Sequence, residues 1–154
     1  MNSAALTAPD LEDLIRTGVP MVGNMGVRVQ HVEAGQVRLA LPRHDDFVRP
    51  GGTIGGPVMF ALADVALYGA VLSLIGRVEL AVTTSMTINF LRRPPMRGLL
   101  AEGRILKMGQ RLAYGEVLLF SEEDPQPIAH ATGTYSIPPH PRVEAPPPAP
   151  FAAP

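Results

Sequence analysis

The chain has 154 residues, of which 46% are hydrophobic and 18% charged, and its formal net charge at pH 7 is −1. A domain of this length buries roughly two-thirds of its unfolded surface, and a charge so near zero gives no electrostatic reason to bind nucleic acid or an anionic membrane surface. Cysteine is absent, which excludes disulfides, thiolate nucleophiles and zinc sites with cysteine ligands. We expect a cytoplasmic protein, since the N-terminus lacks the basic and then apolar order of a signal peptide.

The first predicted elements are a short helix and a pair of strands. Acidic residues near its start and Gly18 at its end favour a helix over about residues 9–17. Apolar residues then alternate with polar ones over residues 27–31 and again over residues 37–41. This period of two predicts a hairpin of half-buried strands.

A glycine-rich turn and a long apolar segment occupy the centre of the sequence. Pro57 suits the first position of a helix, where its missing N–H leaves no bond unmade. Residues 58–75 are then almost wholly apolar, and Gly76 provides a stop. A helix that is apolar on all sides must be buried on all sides. Its length is near the lower limit for a membrane span, but a charge at Asp64 and the amphipathic strands that follow favour a protein core instead.

Asp64 is the one charge within this helix, and the residues three and four positions away from it are apolar or aromatic. Burying a carboxylate in such surroundings costs roughly several kcal/mol unless a partner compensates for the lost water. Asp64 is therefore the first candidate for a functional residue. The alternative is a structural carboxylate that accepts hydrogen bonds from the N–H groups of a neighbouring loop.

Beyond the helix the hydrophobic period changes to two. Strict alternation over residues 82–90 places Thr83 on one face of a strand and the apolar side chains on the other. The residues predicted on that apolar face are Val82, Thr84, Met86, Ile88 and Phe90. Three further strands are predicted over residues 99–108, 111–120 and 128–137, in which small residues recur at a spacing of two. Small side chains on one sheet face leave room for a helix to lie against it.

The last seventeen residues, 138–154, contain eight of the seventeen prolines and cannot extend a sheet. We expect one domain over residues 1–137 and a proline-rich, polyproline-like tail over residues 138–154.

This order of elements, with a glycine-rich turn entering a long helix that carries an aspartate, resembles the hotdog fold. Residues 52–57, GTIGGP, and then Leu62-Ala63-Asp64 are similar to the segment G-x-V-H-G-G-x-x-x-x-L-A-D of the PaaI-like acyl-CoA thioesterases. A second family motif is matched by Val82-Thr83 and by residues 88–92, and the similarity covers about residues 20–137. The resemblance implies an α+β hotdog fold, in which an antiparallel sheet of about five to six strands wraps around the central helix.

The resemblance also implies an active site between two subunits whose sheets become continuous. Asp64 of one subunit would be the nucleophile or general base, and Gly56 of the other would donate its N–H to the thioester oxygen. Thr83 would hold a water molecule or Asp64, and Pro57 and Thr84 would contact the substrate. Elementary chemistry favours the same roles, because free N–H groups at a helix N-terminus attract an anion and a partly desolvated carboxylate is a stronger base.

The sequence departs from the family pattern at two hydrogen-bonding positions. The family's histidine falls on Gly55 and its asparagine on Arg49. Gly55 retains a backbone N–H, so an oxyanion hole is expected to survive, and its missing side chain predicts a wider entrance for the acyl group. Arg49 could replace the asparagine as a donor or bind an acidic acyl group or a CoA phosphate. The alternative for Arg49 is a surface arginine in a loop.

Cations at strand ends suggest where CoA would extend. Arg92 and Arg93, together with other basic residues of the C-terminal half, could form a rim for CoA phosphates; alternatively, they only discourage aggregation at a sheet edge. The four histidines lack metal-ligand spacing, so we expect no metal and no cofactor beyond the coenzyme A of the substrate.

Two classes of function follow. The first is hydrolysis of acyl-CoA thioesters to a free acid and CoA, and the second is a non-catalytic hotdog protein that binds an acyl-CoA or a small acyl ligand. A hydratase of enoyl-CoA would resemble a different hotdog branch, whose loop contains an aspartate and a histidine that this sequence lacks. We expect a homodimer or a dimer of dimers, because a helix apolar on all sides has more surface to bury than one sheet covers.

Overall fold

The computed structural model describes residues 3–140 of the chain. Residues 141–154, most of the predicted proline-rich tail, lie outside the described part. The elements in chain order are helices α1 (Ala8–Gly18) and α2 (Pro20–Asn24), strands β1 (Arg28–Glu33), β2 (Gln36–Leu41), β3 (Val48–Arg49) and β4 (Thr53–Ile54), helix α3 (Gly56–Ile75), and strands β5 (Val82–Phe90), β6 (Leu99–Met108), β7 (Leu112–Ser121) and β8 (Pro127–Ser136).

Six of the strands form one antiparallel sheet in the order β1-β2-β6-β7-β8-β5. Helix α3 lies against its concave face and contacts every strand of the sheet. The predicted α+β hotdog fold, a long central helix wrapped by a six-stranded antiparallel sheet, is therefore confirmed. The predicted long strands agree with the observed bounds within one residue.

Small residues in the sheet allow α3 to approach closely, as the two-residue spacing predicts. A Cβ atom added at Gly115 would lie 2.6 Å from a methyl group of Leu67, and one at Gly133 would lie 2.8 Å from the other methyl group. A Cβ at Gly103 would lie 3.0 Å from the carbonyl oxygen of Ala66. Real Cβ atoms essentially never lie within 3.0 Å of other atoms, so Gly115 and Gly133 could not carry a Cβ without a shift of their neighbours, and Gly103 is at the tight limit.

Helix α1 covers the other side of the C-terminal half of α3. Thr7 caps α1 in a reciprocal pair of bonds with Asp10, and the buried side chain of Leu11 packs against Gly69 of α3. Helix α3 is long and apolar enough to cross a membrane. However, 78% of its most apolar 18-residue segment is buried within this fold. Helix α3 is therefore the core helix of this domain.

Within a single chain, the first turns of α3 are not buried on all sides. Pro57 and Phe60 are exposed and Ala61 and Asp64 are half-buried, which forms an open stripe at the helical spacing of three and four residues. The sheet covers one side of α3, and within residues 3–140 helices α1 and α2 cover only part of the other. The helix also begins at Gly56, one residue earlier than predicted.

Strand β5 contains a bulge that the alternation does not reveal. Thr83 pairs with Tyr135 and Ser85 with Thr134, so Thr84 is an extra residue in β5. The predicted faces of Thr83 and Thr84 are therefore wrong: Thr83 shares the helix-facing side with Met86, whereas Thr84 is exposed. The alternation of residue types continues through the bulge without interruption, so the bulge could not be predicted from the sequence alone.

Two short features between the long elements were also not predicted. Helix α2 has five residues, and strands β3 and β4 have two each, which is too short for a hydrophobic period. The turn between β3 and β4 contains Gly51 and Gly52 at φ angles of 99° and 76°, in the left-handed region that favours glycine. This turn leads directly into the N-terminus of α3.

Candidate active site

Asp64 lies half-buried in the middle of α3, where two hydroxyl groups bind the same carboxylate oxygen. The hydroxyl of Thr83 donates to Oδ1 of Asp64 at 2.7 Å, and the hydroxyl of Tyr135 lies 2.7 Å from the same oxygen. These bonds offset the cost of partial burial. The partners are side chains of β5 and β8, not the loop N–H groups that a purely structural carboxylate was expected to bind.

The second oxygen of Asp64 remains free for chemistry. Within residues 3–140 no donor bonds to Oδ2, and this atom is not among the fully buried polar atoms without a partner. Oδ2 is therefore accessible. A carboxylate with one restrained oxygen and one accessible oxygen suits a general base or a nucleophile.

Tyr135 is a site residue that the sequence analysis missed. It is 3% exposed, stacks on Tyr68 at a ring-centroid distance of 6.0 Å, and also places its hydroxyl 3.0 Å from the main-chain oxygen of Asp64. Burial, together with the negative charge of Asp64, raises the pKa of Tyr135 well above its ordinary value. One feature of the sequence could have pointed to Tyr135, since it is the aromatic residue that ends a row of small, helix-facing residues in β8. The pairing of β8 with β5, which brings it to Asp64, could not be read from the sequence.

Two cavities open onto Asp64. An inner pocket of about 200 Å³ lies between the α1–α2 corner and α3, and its wall includes Val19, Val22 and Ala81. A helix-face groove of about 580 Å³ follows the open stripe of α3. Its lining residues are Met21, Gly56, Pro57, Phe60, Ala61, Asp64 and Phe90. The carboxylate is thus positioned at the junction of the two cavities.

The N-terminus of α3 offers one free N–H from its first residue. Gly56 is that residue, and no acceptor within residues 3–140 takes its N–H. The Gly55 N–H instead donates to the carbonyl oxygen of Phe47 at 2.9 Å, and Pro57 has no N–H. The expectation that Gly55 also supplies an oxyanion donor is therefore wrong. Gly55 is buried, lines neither cavity, and has a φ of −69° that does not require glycine.

The other predicted site residues lie outside both cavities. Thr84 is exposed and donates its hydroxyl to the carbonyl oxygen of Thr134 at 3.1 Å. Arg49 in β3 is exposed, as are Arg92 and Arg93 beyond the end of β5, where Arg92 contacts Gln126. Among residues 3–140 no group of three histidine, aspartate or glutamate side chains could hold a metal ion.

Gly56 and Asp64 lie on the same helix and line the same groove. They are eight residues apart on α3, which corresponds to about 12 Å along the helix axis.

Comparisons with known proteins show which family this chain resembles. The model of the thioesterase superfamily matches residues 51–128, which include Gly56, Asp64 and Thr83 but not Tyr135. A crystal structure from Silicibacter sp. TM1040, of a protein assigned as a thioesterase, is 40% identical with a TM-score of 0.80 and covers 88% of this chain and 94% of that one.

Two further relatives have lower identity. A mutant of the phenylacetic acid degradation protein PaaI from Thermus thermophilus is 26% identical, has a TM-score of 0.69 and covers 77% of this chain and 98% of that one. An assigned esterase of Saccharolobus solfataricus is 26% identical over 128 residues, which are 82% of this chain and 89% of the relative.

Proposed function

This chain belongs to the thioesterase superfamily, and from that premise we propose that it hydrolyses acyl-CoA thioesters to a free acid and CoA. Its family and its relatives support thioester hydrolysis in general. The observation that carries the finer proposal is Asp64, a half-buried carboxylate that accepts two hydroxyl bonds on one oxygen and presents the other to a groove.

In the proposed reaction, Oδ2 of Asp64 takes a proton from a water molecule as the water oxygen attacks the thioester carbonyl carbon. The carbonyl oxygen gains negative charge, which the Gly56 N–H at the helix N-terminus stabilises. When the tetrahedral intermediate collapses, the carbon–sulfur bond breaks and CoA leaves as a thiolate that is then protonated. Thr83 restrains the carboxylate by its bond to Oδ1.

A nucleophilic role for Asp64 is the alternative within the same site. Its Oδ2 would attack the carbonyl carbon and form a mixed anhydride, which water then cleaves. A single turnover in ¹⁸O-labelled water identifies the covalent route when the label appears in Asp64, because water has then attacked the Asp64 carbon of the anhydride. Label in the product acid alone fits direct attack by water as well as attack on the acyl carbon of the anhydride, so trapping of the anhydride with hydroxylamine completes the test.

We propose a homodimer as the minimum active unit, alone or within a dimer of dimers. Strand β5 is an edge of the sheet in the described part of the chain, and unpaired edges favour pairing with another strand. Phe60 and Phe90 are 39% and 50% exposed beside the free end of α3. Pairing two β5 strands would cover this apolar surface and bring Asp64 of one subunit towards Gly56 of the other.

The role of the exposed arginines in CoA binding remains a prediction. Arg92 and Arg93 follow the end of β5, near the proposed interface, and Arg49 lies in the short hairpin before α3. We propose that these cations contact the phosphates of CoA outside the apolar groove. No metal or further cofactor is part of the proposal.

A non-catalytic acyl-CoA binding protein is the second candidate, and one observation favours it. The position of the family's histidine is Gly55, whose N–H is bound to Phe47, so this turn provides fewer donors than the family motif implies. Loss of a single oxyanion donor typically lowers kcat by about 10²–10³. A binding protein would retain the groove and the carboxylate without turnover.

A panel of short, medium, long and aryl acyl-CoAs, followed by release of free thiol, tests the proposed function. Hydrolysis of at least one substrate that is lost in Asp64→Asn would support it. Calorimetric titration with a thioether analogue of an acyl-CoA, which cannot be hydrolysed, tests the second candidate function. Binding of this analogue without turnover of any thioester in the panel would favour a non-catalytic binding protein.

A further inference from the structure

We propose that Tyr135 is a positioning residue for Asp64: together with Thr83 it occupies Oδ1 and leaves Oδ2 as the one carboxylate oxygen available to the substrate. This inference rests on the proposed role of Asp64 in hydrolysis. It concerns a residue beyond the matched family segment of residues 51–128.

The two donors come from adjacent strands in a fixed register. Thr83 and Tyr135 are direct cross-strand partners, and each hydroxyl lies 2.7 Å from Oδ1 of Asp64. The bulge at Thr84 is what turns Thr83 towards the helix. Because the hydrogen-bonded sheet fixes both donors, the carboxylate is held from two directions and cannot rotate without losing two bonds.

The position of the Tyr135 hydroxyl is itself restrained. Its ring is buried and stacks on Tyr68, whose own hydroxyl donates to the main-chain oxygen of Glu79 at 3.0 Å. The Tyr135 hydroxyl is also 3.0 Å from the main-chain oxygen of Asp64, so the tyrosine is held against the backbone turn that carries the carboxylate. A positioning group needs this kind of support to keep a base within the narrow geometry of proton transfer.

Tyr135 acts as a donor and not as a proton shuttle. Burial and the adjacent carboxylate raise its pKa well above the ordinary value, so the hydroxyl stays protonated at neutral pH. The titratable groups facing this part of the site are Asp64 and Tyr68 on α3, Glu79 in the following loop and Tyr135 on β8. Asp64 is the one that receives two hydroxyl bonds.

Tyr135→Phe tests the inference, because it removes the hydroxyl and keeps the stacked ring. We expect kcat for the best acyl-CoA to fall between about tenfold and a hundredfold, with KM within about twofold of the wild type. A role in stability alone would not produce this split between kcat and KM. Unchanged kcat would overturn the proposal.

Tyr68→Phe is the matched control. It removes a buried hydroxyl from the other ring of the same stack, but this hydroxyl bonds to Glu79 and not to Asp64. We expect a clearly smaller fall in kcat than in Tyr135→Phe. If both variants lowered kcat equally, the effect would come from general loosening of the stack, and the positioning role would be wrong.

A double-mutant cycle on unfolding gives a readout that needs no activity. Tyr135→Phe should lower the urea midpoint of the wild type clearly, and less in an Asp64→Ala background, where the carboxylate acceptor is gone and only the main-chain oxygen of residue 64 remains near the hydroxyl. Equal lowering in both backgrounds would overturn the inference. Failure of the proposed function would instead appear as a wild-type protein that releases no thiol, whatever the result of this cycle.

Discussion

Gly55 donates its backbone N–H to the carbonyl oxygen of Phe47, 2.9 Å away. This bond ties the loop before β3 to the entrance of α3, and within residues 3–140 the N–H of Gly56 has no acceptor. A Cβ atom at Gly55 would contact that same carbonyl oxygen and the ring of Pro57, each at 3.7 Å. A side chain at Gly55 would therefore pack against the turn and would not enter the groove.

Gly55→Ser should stabilise the protein slightly and leave the preference among acyl chains unchanged. The backbone is extended at this helix N-cap, and a serine hydroxyl there can accept a bond from the first turn, worth about a few tenths of a kcal/mol over glycine. Urea unfolding measures the gain, and Gly55→Ala is the control because it adds the same Cβ without an oxygen. A narrowed acyl profile in Gly55→Ser would mean that Gly55 lines the acyl site after all.

Asp64→Asn should abolish turnover with little change in stability. The asparagine oxygen can still accept the bonds of Thr83 and Tyr135, while its NH₂ group replaces the accessible oxygen and cannot take a proton from water. We expect kcat to fall by about 10²–10⁴, the range for loss of a general base. Steady-state kinetics and urea midpoints are measured together, and a variant within about tenfold of the wild-type kcat would contradict the role of Asp64.

Gly56→Pro should remove the oxyanion donor and little else. Gly55 has a ψ of 145°, which is compatible with a following proline, and proline is favoured in the first turn of a helix. We expect kcat to fall by about 10²–10³ with a small change in KM.

The control for this variant is Gly56→Ala, which keeps the N–H. Both variants add a Cβ 3.3 Å from the ring of Phe90, and both place a residue with a Cβ before Pro57. Strain from the Cβ is therefore shared, and the ratio of their kcat values reports the replacement of the N–H by the proline ring. Equal kcat values in the two variants would exclude this N–H as an oxyanion donor.

Glu116 on β7 contributes to stability in a way that depends on pH. Burial by itself would raise the pKa of Glu116, but bonds from His130 at 2.8 Å and from Nε of Arg104 at 2.6 Å outweigh it and hold the pKa below the usual range. A lowered pKa in the folded state stabilises the protein above the unfolded pKa, and this contribution is lost as pH falls through the folded value.

Glu116→Gln should therefore lower the urea midpoint at pH 7, and the difference from the wild type should shrink below about pH 4. The control is Glu102→Gln on the adjacent strand, which removes a more exposed carboxylate that pairs with Arg38. Exposed pairs contribute about 0–1 kcal/mol, so a smaller effect is expected there. A Glu116→Gln difference that is constant from pH 7 to pH 3 would contradict this assignment.

The long elements of this fold could be predicted because each has a period that repeats several times. Residues 58–75 are apolar for five turns, and the strands over 82–90 and 99–108 alternate for nine or ten residues. Asp64 was identifiable for a related reason, since one charge in such a helix needs a compensating partner. Periodicity and an isolated charge are local properties, so they can be recognised from the residue types alone.

The remaining features depend on contacts between distant parts of the chain. Tyr135 reaches Asp64 only because β8 pairs with β5, and Thr83 reaches it only because a bulge shifts the register. The Gly55 bond depends on where the loop containing Phe47 returns. Residue types and their spacing do not encode such pairings directly, so the sequence predicted the carboxylate and the Gly56 N–H, but neither Tyr135 nor the bond that occupies the Gly55 N–H.

Mixing two inactive variants tests whether the site is shared between subunits. Asp64→Asn chains retain Gly56, and Gly56→Pro chains retain Asp64, so a mixed dimer contains one complete site if each site uses both chains. Random mixing after unfolding and refolding should restore about a quarter of the wild-type sites, because half of the dimers are mixed and one of their two sites is intact.

Thiol release from the mixture, compared with each variant refolded alone, is the measurement. Light scattering on the same samples verifies that dimers or larger assemblies are present. A chain that carries both substitutions, mixed with Asp64→Asn, is the control, since no combination of these two chains supplies the carboxylate. If the test mixture stays as inactive as this control although light scattering shows dimers, then Asp64 and Gly56 do not meet across an interface, and the proposed shared site would be wrong.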